Sequence, residues 1–217
     1  MSRVYWRYLI LLSVIMTLVM VWGCGQKVAV LKAPPERPIP SDFITYTDEK
    51  GLFSIYYPSS WDTDFSTEEV KEYASQVLQS LESDTFLDEV LTLFTARKSA
   101  YPRPNIEVVI NPDHIDPRGL TVDEVADEQI KIAESCKLDG IEDWRVISRT
   151  KTTIDGIDAV IVHERIKLLG ITDIQYVSAY LITGPVVWDI QCGVSSDKFE
   201  EYEDTFWDII RSFRILK

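Results

Sequence analysis

Apolar and polar positions alternate in the run Gly51 to Trp61 (GLFSIYYPSSW), where Phe53, Ile55 and Tyr57 fall on one side and Ser54 and Tyr56 on the other. A period of two is the strand period, so the run predicts a strand with one apolar face turned inward. FITYTDEK (Phe43 to Lys50) precedes it, and Asp48 to Gly51 supplies the turn of an opening hairpin. Pro58 lacks the N–H that a ladder needs and stops the strand, after which Trp61 folds back as a large apolar plug.

The pattern then lengthens to three and four. Ser66 and Glu69 form an S-x-x-E capping box, and Val70, Tyr73, Ala74, Val77, Leu78 and Leu81 recur at helical spacing behind it. From Thr85 to Arg97 both periods fit, and a strand is expected from about Val90 onward. Pro102 and Pro104 mark a loop, NIEVVIN (Asn105 to Asn111) is a buried strand, and NPDHIDPRG is a second loop. Thr121 with Glu124 caps a helix running to about Leu138, with Val125, Ala126, Ile132, Ala133 and Cys136 on one side.

In the last third the strands follow one another directly. Trp144–Thr153 and Ala159–Lys167 flank Asp155-Gly156, a pair that tolerates positive φ and therefore signals a hairpin. Ile174–Thr183 follows Gly170, and Val186–Cys192 follows Gly184-Pro185. Between Gln175 and Ile182 both alternating sets are apolar, which predicts a sheet covered on two faces. Asp197 with Glu200 starts a final helix, whose stripe of Phe199, Tyr202, Phe206, Ile209, Ile210 and Phe213 belongs to the core.

Length and charge narrow the function classes. With 217 residues and 46% hydrophobic content, the chain holds one sizeable domain once its N-terminal segments are set aside. The formal charge is −13, and it becomes −15 (20 basic, 35 acidic) if residues 1–23, which carry Arg3 and Arg7 but no acid, are removed. Such a surface repels nucleic acid phosphates and anionic headgroups, so nucleic acid is excluded as a partner.

Residues 1–23 carry the most specific signal. Arg3 and Arg7 precede the apolar run Leu9 to Trp22, the order of a secretory signal, and the run is short of the roughly 20 apolar residues a spanning helix needs. It ends in Val21-Trp22-Gly23-Cys24, which resembles the bacterial lipoprotein box, with Trp22 standing where a small residue is usual. That resemblance implies cleavage after Gly23 and lipidation of Cys24; an uncleaved signal anchor is the other reading of the same run. Either way the domain lies outside the cytoplasm beside a membrane. Residues 24–41 contain APPERPIP, an extended tether at about 3.1 Å per residue, and residues 42–217 form the domain.

Candidate chemistry is sparse. There is no G-x-S-x-G, H-E-x-x-H, G-x-G-x-x-G or P-loop motif, and no cofactor is expected. His163 alternates with Ile161 and Arg165 on a strand and fits a hydrogen-bonded histidine better than a catalytic one. Asp113, His114 and Asp116 place two carboxylates and an imidazole within one loop, where they either ligate a divalent metal or serve a turn that uses Asp and Pro for backbone reasons. Cys136 and Cys192 either form a disulfide or are two buried thiols.

The order of these motifs resembles a known family. Tyr57, Pro58 and Trp61 close the hairpin, Leu120, Thr121, Asp123, Glu124 and Ala126 open the middle helix, Ile154, Asp155, Gly156, Asp158 and Ala159 make the late turn, and Phe206, Ile209, Ser212 and Phe213 stripe the last helix. From Phe43 to Ile215 this is similar to the PsbP-like and DcrB-like family. The resemblance implies an α+β fold, an α/β/α sandwich with a central antiparallel sheet flanked by helices. Relatives include extrinsic subunits that stabilise photosystem II and bacterial envelope lipoproteins, and they share no catalytic residue. The expectation is a lipid-anchored, extracytoplasmic module without catalysis that binds or stabilises a protein partner, or else takes a small ligand or divalent metal.

Overall fold

The computed structural model describes residues 37–63, 67–86, 90–100, 102–135, 141–168 and 172–216. Along them run β1 (Phe43–Thr47), β2 (Phe53–Pro58), β3 (Asp62–Thr63), α1 (Thr67–Ser83), β4 (Leu91–Arg97) and β5 (Asn105–Ile110). After a 3-10 turn at Pro112–His114 come α2 (Val122–Ser135), β6 (Ile141–Ile154), β7 (Ile157–Leu168), β8 (Thr172–Thr183), β9 (Val186–Ser195), α3 (Phe199–Ser212) and β10 (Arg214–Ile215). A seven-stranded antiparallel sheet has the order β3-β4-β5-β9-β8-β7-β6, and a separate three-stranded sheet has the order β1-β2-β10.

Local chemistry accounts for most of these boundaries. Asp155 and Gly156 take φ of +54° and +76°, the conformation a two-residue hairpin needs between Ile154 and Ile157. In the first hairpin, Asp48 Oδ2 accepts hydrogen bonds from the backbone N–H groups of Lys50 and Leu52 at 2.9 and 3.1 Å. The α2 capping box forms as expected: Thr121 N–H donates to Glu124 Oε2 at 2.8 Å, and Glu124 N–H donates to Thr121 Oγ1 at 3.3 Å. The corresponding box at Ser66 lies outside the described residues, as do Gly170 and residues 1–36.

The molecule is an α/β/α sandwich with the seven-stranded sheet in the middle. On its inner face lie α1, α3 and the three-stranded sheet, which enclose a core containing Phe53, Ile55, Trp61, Val77, Trp188 and Phe206. On its outer face α2 buries Ala126 against Val160, Val162 and Tyr180. The two apolar sets expected in β8 divide accordingly: Val177, Ala179 and Leu181 face the inner core, and Tyr180 faces α2.

Phe53, Trp188 and Phe213 tie the inner layer to the sheet. Their ring centroids are 5.9 Å apart for Phe53–Trp188 and 5.5 Å for both Phe53–Phe213 and Trp188–Phe213. This triangle joins β2, β9 and the end of α3, and Leu216 N–H then donates to Leu52 C=O at 2.8 Å. Two details differ from expectation. Residues Ser196–Lys198 form a 3-10 turn, so α3 starts at Phe199 with Lys198 at its N-cap. Phe213 is extended (φ −61°, ψ 132°), which lets the chain leave the helix and pair with β2.

Replacing Phe53 with alanine removes one corner of this triangle, and a buried Phe→Ala change costs about 3–5 kcal/mol. Urea unfolding of Phe53→Ala is therefore expected to lose that much stability. Ile44→Ala, at a side chain 44% exposed, is expected to change it by less than about 0.5 kcal/mol.

Candidate functional site

Strand alternation sends apolar and acidic side chains to opposite faces of the sheet. In β9, Trp188, Ile190 and Cys192 point into the inner core, so Asp189 and Gln191 point outward. Register then sets Asp189 beside Tyr180 of β8, and Gln191 beside Glu107 of β5 and Ser178 of β8. Glu164 of β7 lies opposite Tyr176 of β8, whose ring fills the space where a Cβ at Gly193 would sit.

Helix α2 and the turn before it roof part of this surface and leave a cavity of about 300 Å³. Its polar lining is Asp113 from the turn, Gln129 from α2, Glu164, Tyr180, Asp189 and Gln191. Its apolar lining comes from Ile130, Ile132 and Ala133 of α2 and from Trp144, Val162 and Ile166 of the sheet. Gln129 Nε2 donates to Pro112 C=O at 2.7 Å, which fastens the helix to the turn.

The electrostatics of this cavity are those of acids held away from water. Asp189 is 5% exposed, and its Oδ1 has no hydrogen-bond partner. Burial pushes its carboxyl well above the usual carboxylate range, and the nearby carboxylates of Glu164, Glu107 and Asp113 push it further. Burial also raises Glu164 to about 7, against the opposing effect of the Trp144 Nε1–H hydrogen bond to Oε2 at 3.1 Å. The Tyr180 phenol is likewise driven up by burial. No Lys, Arg or His lines the cavity among the described residues.

The residues singled out from the sequence divide around this site. Asp113 lines the cavity; Asp116 is bound by Arg118, whose Nε donates to Oδ1 at 2.9 Å and whose second guanidinium nitrogen donates to Oδ2 at 2.6 Å. That guanidinium holds the Asp116 carboxyl below its ordinary range. Asn111, Asp113 and His114 all take positive φ (48°, 55° and 58°), the backbone use of the loop. Among the described residues no three His, Cys, Asp or Glu side chains gather as a metal site would require.

His163 sits on the inner face. Its Nε2 pairs with Gln175 Oε1 at 2.8 Å, its ring stacks on Phe199 with centroids 4.3 Å apart, and burial lowers its pKa. It is the hydrogen-bonded histidine expected. Cys192 is fully buried, and burial pushes its thiol up; Cys24 and Cys136 lie outside the described residues.

A larger surface groove of about 610 Å³ runs beside Asp173, Tyr176 and Ser196. Its Asp173 carboxylate is already engaged. Arg165 pairs with Asp173, Ser196 Oγ donates to the same carboxylate at 2.5 Å, and these partners, Arg165 first, draw Asp173 down to about 2.

Asp189, Glu164 and Gln129 were not expected from the sequence as site residues. The available signal was the lone acid in VVWDIQC, set among strand residues that are otherwise mostly apolar; Glu164, between His163 and Arg165, carried no such signal.

Folded Glu164 keeps its proton up to about pH 7, whereas an ordinary carboxyl releases it near 4.5. The stability this group contributes is complete below 4.5 and is lost as the pH climbs through about 7. Glu164→Gln should therefore gain stability over the parent as pH rises across that window, by about 2 kcal/mol at its end for a partly exposed side chain. Thermal melts of both proteins from about pH 4.5 to 8 test this, and a difference that does not grow with pH contradicts it.

In sequence the chain matches no protein-family model and no curated protein. In structure it is similar to cyanobacterial PsbP (CyanoP) from Synechocystis sp. PCC 6803, over 88% of this chain and 98% of that one, with 14% identity and a TM-score of 0.55. The Ran-binding protein Mog1p of Saccharomyces cerevisiae matches 81% of this chain and 96% of its own, with 10% identity and a TM-score of 0.49. LpqN, involved in cell envelope biogenesis of Mycobacterium tuberculosis, matches 76% of this chain and 83% of its own, with 13% identity and a TM-score of 0.46. The strand order, the three helices and the coverage of the CyanoP match agree: the chain has a PsbP-like fold.

Proposed function

We propose that the chain is a binding module without catalytic chemistry, held outside the cytoplasm by lipid on Cys24, and that its ligand occupies the acidic cavity beneath α2. One observation carries the binding part: a 5% exposed carboxylate, Asp189, lines that cavity with an oxygen that has no partner. A buried polar atom without a partner costs roughly 1–3 kcal/mol, a loss that a bound ligand recovers. The apolar walls and few convergent polar groups are the ordinary composition of a small-ligand site.

Support for the anchoring part is the basic-then-apolar order of residues 1–23, the Gly23-Cys24 pair and the proline-rich tether behind them. No helix among the described residues is long and apolar enough to cross a membrane. A diacyl or triacyl cysteine supplies more than one buried chain, which stable anchoring requires at about 0.8 kcal/mol per methylene. Assembly with a protein partner is the second reading, and it would use the same tethered domain.

The test of anchoring is expression with labelled palmitate and mass spectrometry of the N-terminal peptide. The parent is expected to begin at an acylated Cys24 and to carry the label, and Cys24→Ser to carry none. An unmodified chain that begins at Met1, or label retained by Cys24→Ser, overturns the lipid anchor.

A further inference from the structure

We propose that the cavity under α2 binds a small primary amine, with its ammonium group between Asp189 and Glu164 and its hydrocarbon part against Ile130, Ile132, Trp144 and Ile166. This rests on the binding reading above and is independent of the lipid anchor.

Three observations select the ligand class. The first is the sign of the site: the titratable groups that face Asp189 are Glu164 from β7, Glu107 from β5, Tyr180 from β8 and Asp113 from the turn. Helix α2 adds only Gln129 and apolar side chains to the lining, and β6 adds Trp144. With acids on four elements and no basic group in the lining among the described residues, an anionic ligand would add repulsion to carboxylates that are already desolvated. A cation removes it.

The second is the donor set. An ammonium group has three N–H donors, and the cavity offers the free Oδ1 of Asp189 and the carboxylate of Glu164 as acceptors. Divalent ions require more oxygen or nitrogen ligands than the described residues bring together. The third is the wall. Six apolar side chains and a volume of about 300 Å³, at the small end of the usual range of about 300–1,000 Å³, suit a hydrocarbon body of one ring or a short chain.

Proton balance adds a signature. Asp189 and Glu164 hold their protons more tightly than ordinary carboxyls, so docking an ammonium releases protons. Binding therefore tightens as the pH rises through about 7. Asp189→Asn keeps the shape of the side chain and removes its charge. This substitution is expected to raise the melting temperature at about pH 8 while weakening the amine, the two effects having one cause.

The experiment is isothermal calorimetry on the full chain in a nonionic detergent, with phenethylamine as ligand and 2-phenylethanol as its uncharged counterpart. At about pH 8 the expected result is saturable phenethylamine binding, at least tenfold tighter than 2-phenylethanol, with proton release seen as buffer-dependent heat. Asp189→Asn should lose at least tenfold while melting higher, and Glu164→Gln should flatten the pH dependence. Phenethylamine and butylamine both failing to bind, or Asp189→Asn binding as the parent does, overturns the proposal. Running Cys24→Ser in parallel separates the two readings, since loss of acylation leaves amine binding unchanged.

Discussion

A single described helix, α2, covers the outer face of a sheet seven strands wide, and the character of the molecule follows from that mismatch. Strands lie about 4.8 Å apart and a helix with its side chains is about 10–12 Å across, so one helix shelters roughly two or three strands. The inner face has two helices and a second sheet, and it is largely apolar. On the outer face, Val160 and Val162 of β7 and Tyr180 of β8 are apolar beneath α2, and the neighbouring strands β5 and β9 carry polar Glu107 and Gln191. Asp189 sits on the line between the two regimes, buried by the margin of the helix yet surrounded by other acids.

That position explains why the site is costly to keep. An acid on the open part of the face would stay hydrated and ionised, and an apolar residue under the helix would be stable; Asp189 has neither outcome. Nothing about the fold demands it, since β9 is already fixed by Trp188, Ile190 and Cys192 on the other side and by its ladders to β5 and β8. The same chain handles another buried carboxylate differently. Asp208, 3% exposed on α3, receives two hydrogen bonds from the Arg37 guanidinium at 2.9 and 2.7 Å, which compensates its burial with an opposite charge. At Asp208 the structure supplies an opposite charge, and at Asp189 it leaves an oxygen open.

Features set by neighbouring residues were legible in the sequence. The Asp155-Gly156 turn, the Thr121–Glu124 cap and the period-two runs of β2, β5, β8 and β9 each depend on a few adjacent side chains, and they stand where the pattern puts them. The family resemblance supplied the sandwich. Features decided by distant contacts were hidden: β3 and β10 are two residues long and exist only because β4 and β2 are there to pair with them. The 3-10 turn at Ser196–Lys198 is of the same kind, since it brings Phe199 to His163 across the inner face. The cavity is assembled from α2, the preceding turn and β6 to β9, and its acids are more than 20 residues apart along the chain. Only Asp113 was singled out beforehand, for its place in a loop rich in ligating residue types.

The chain enters the domain on the side of α3. Arg37, within the proline-rich segment, donates to Asp208 and, at 2.7 Å, to Asp204, both on α3. Asp208 is buried, so this contact is more than a surface ion pair of little worth: without Arg37 its carboxylate would lie unpaired among Phe206, Trp207 and Ile209. Helix α3 belongs to the inner layer, and the cavity lies beneath α2 in the outer one, with the seven-stranded sheet between them. Chain entry and cavity are therefore on opposite sides of the sandwich.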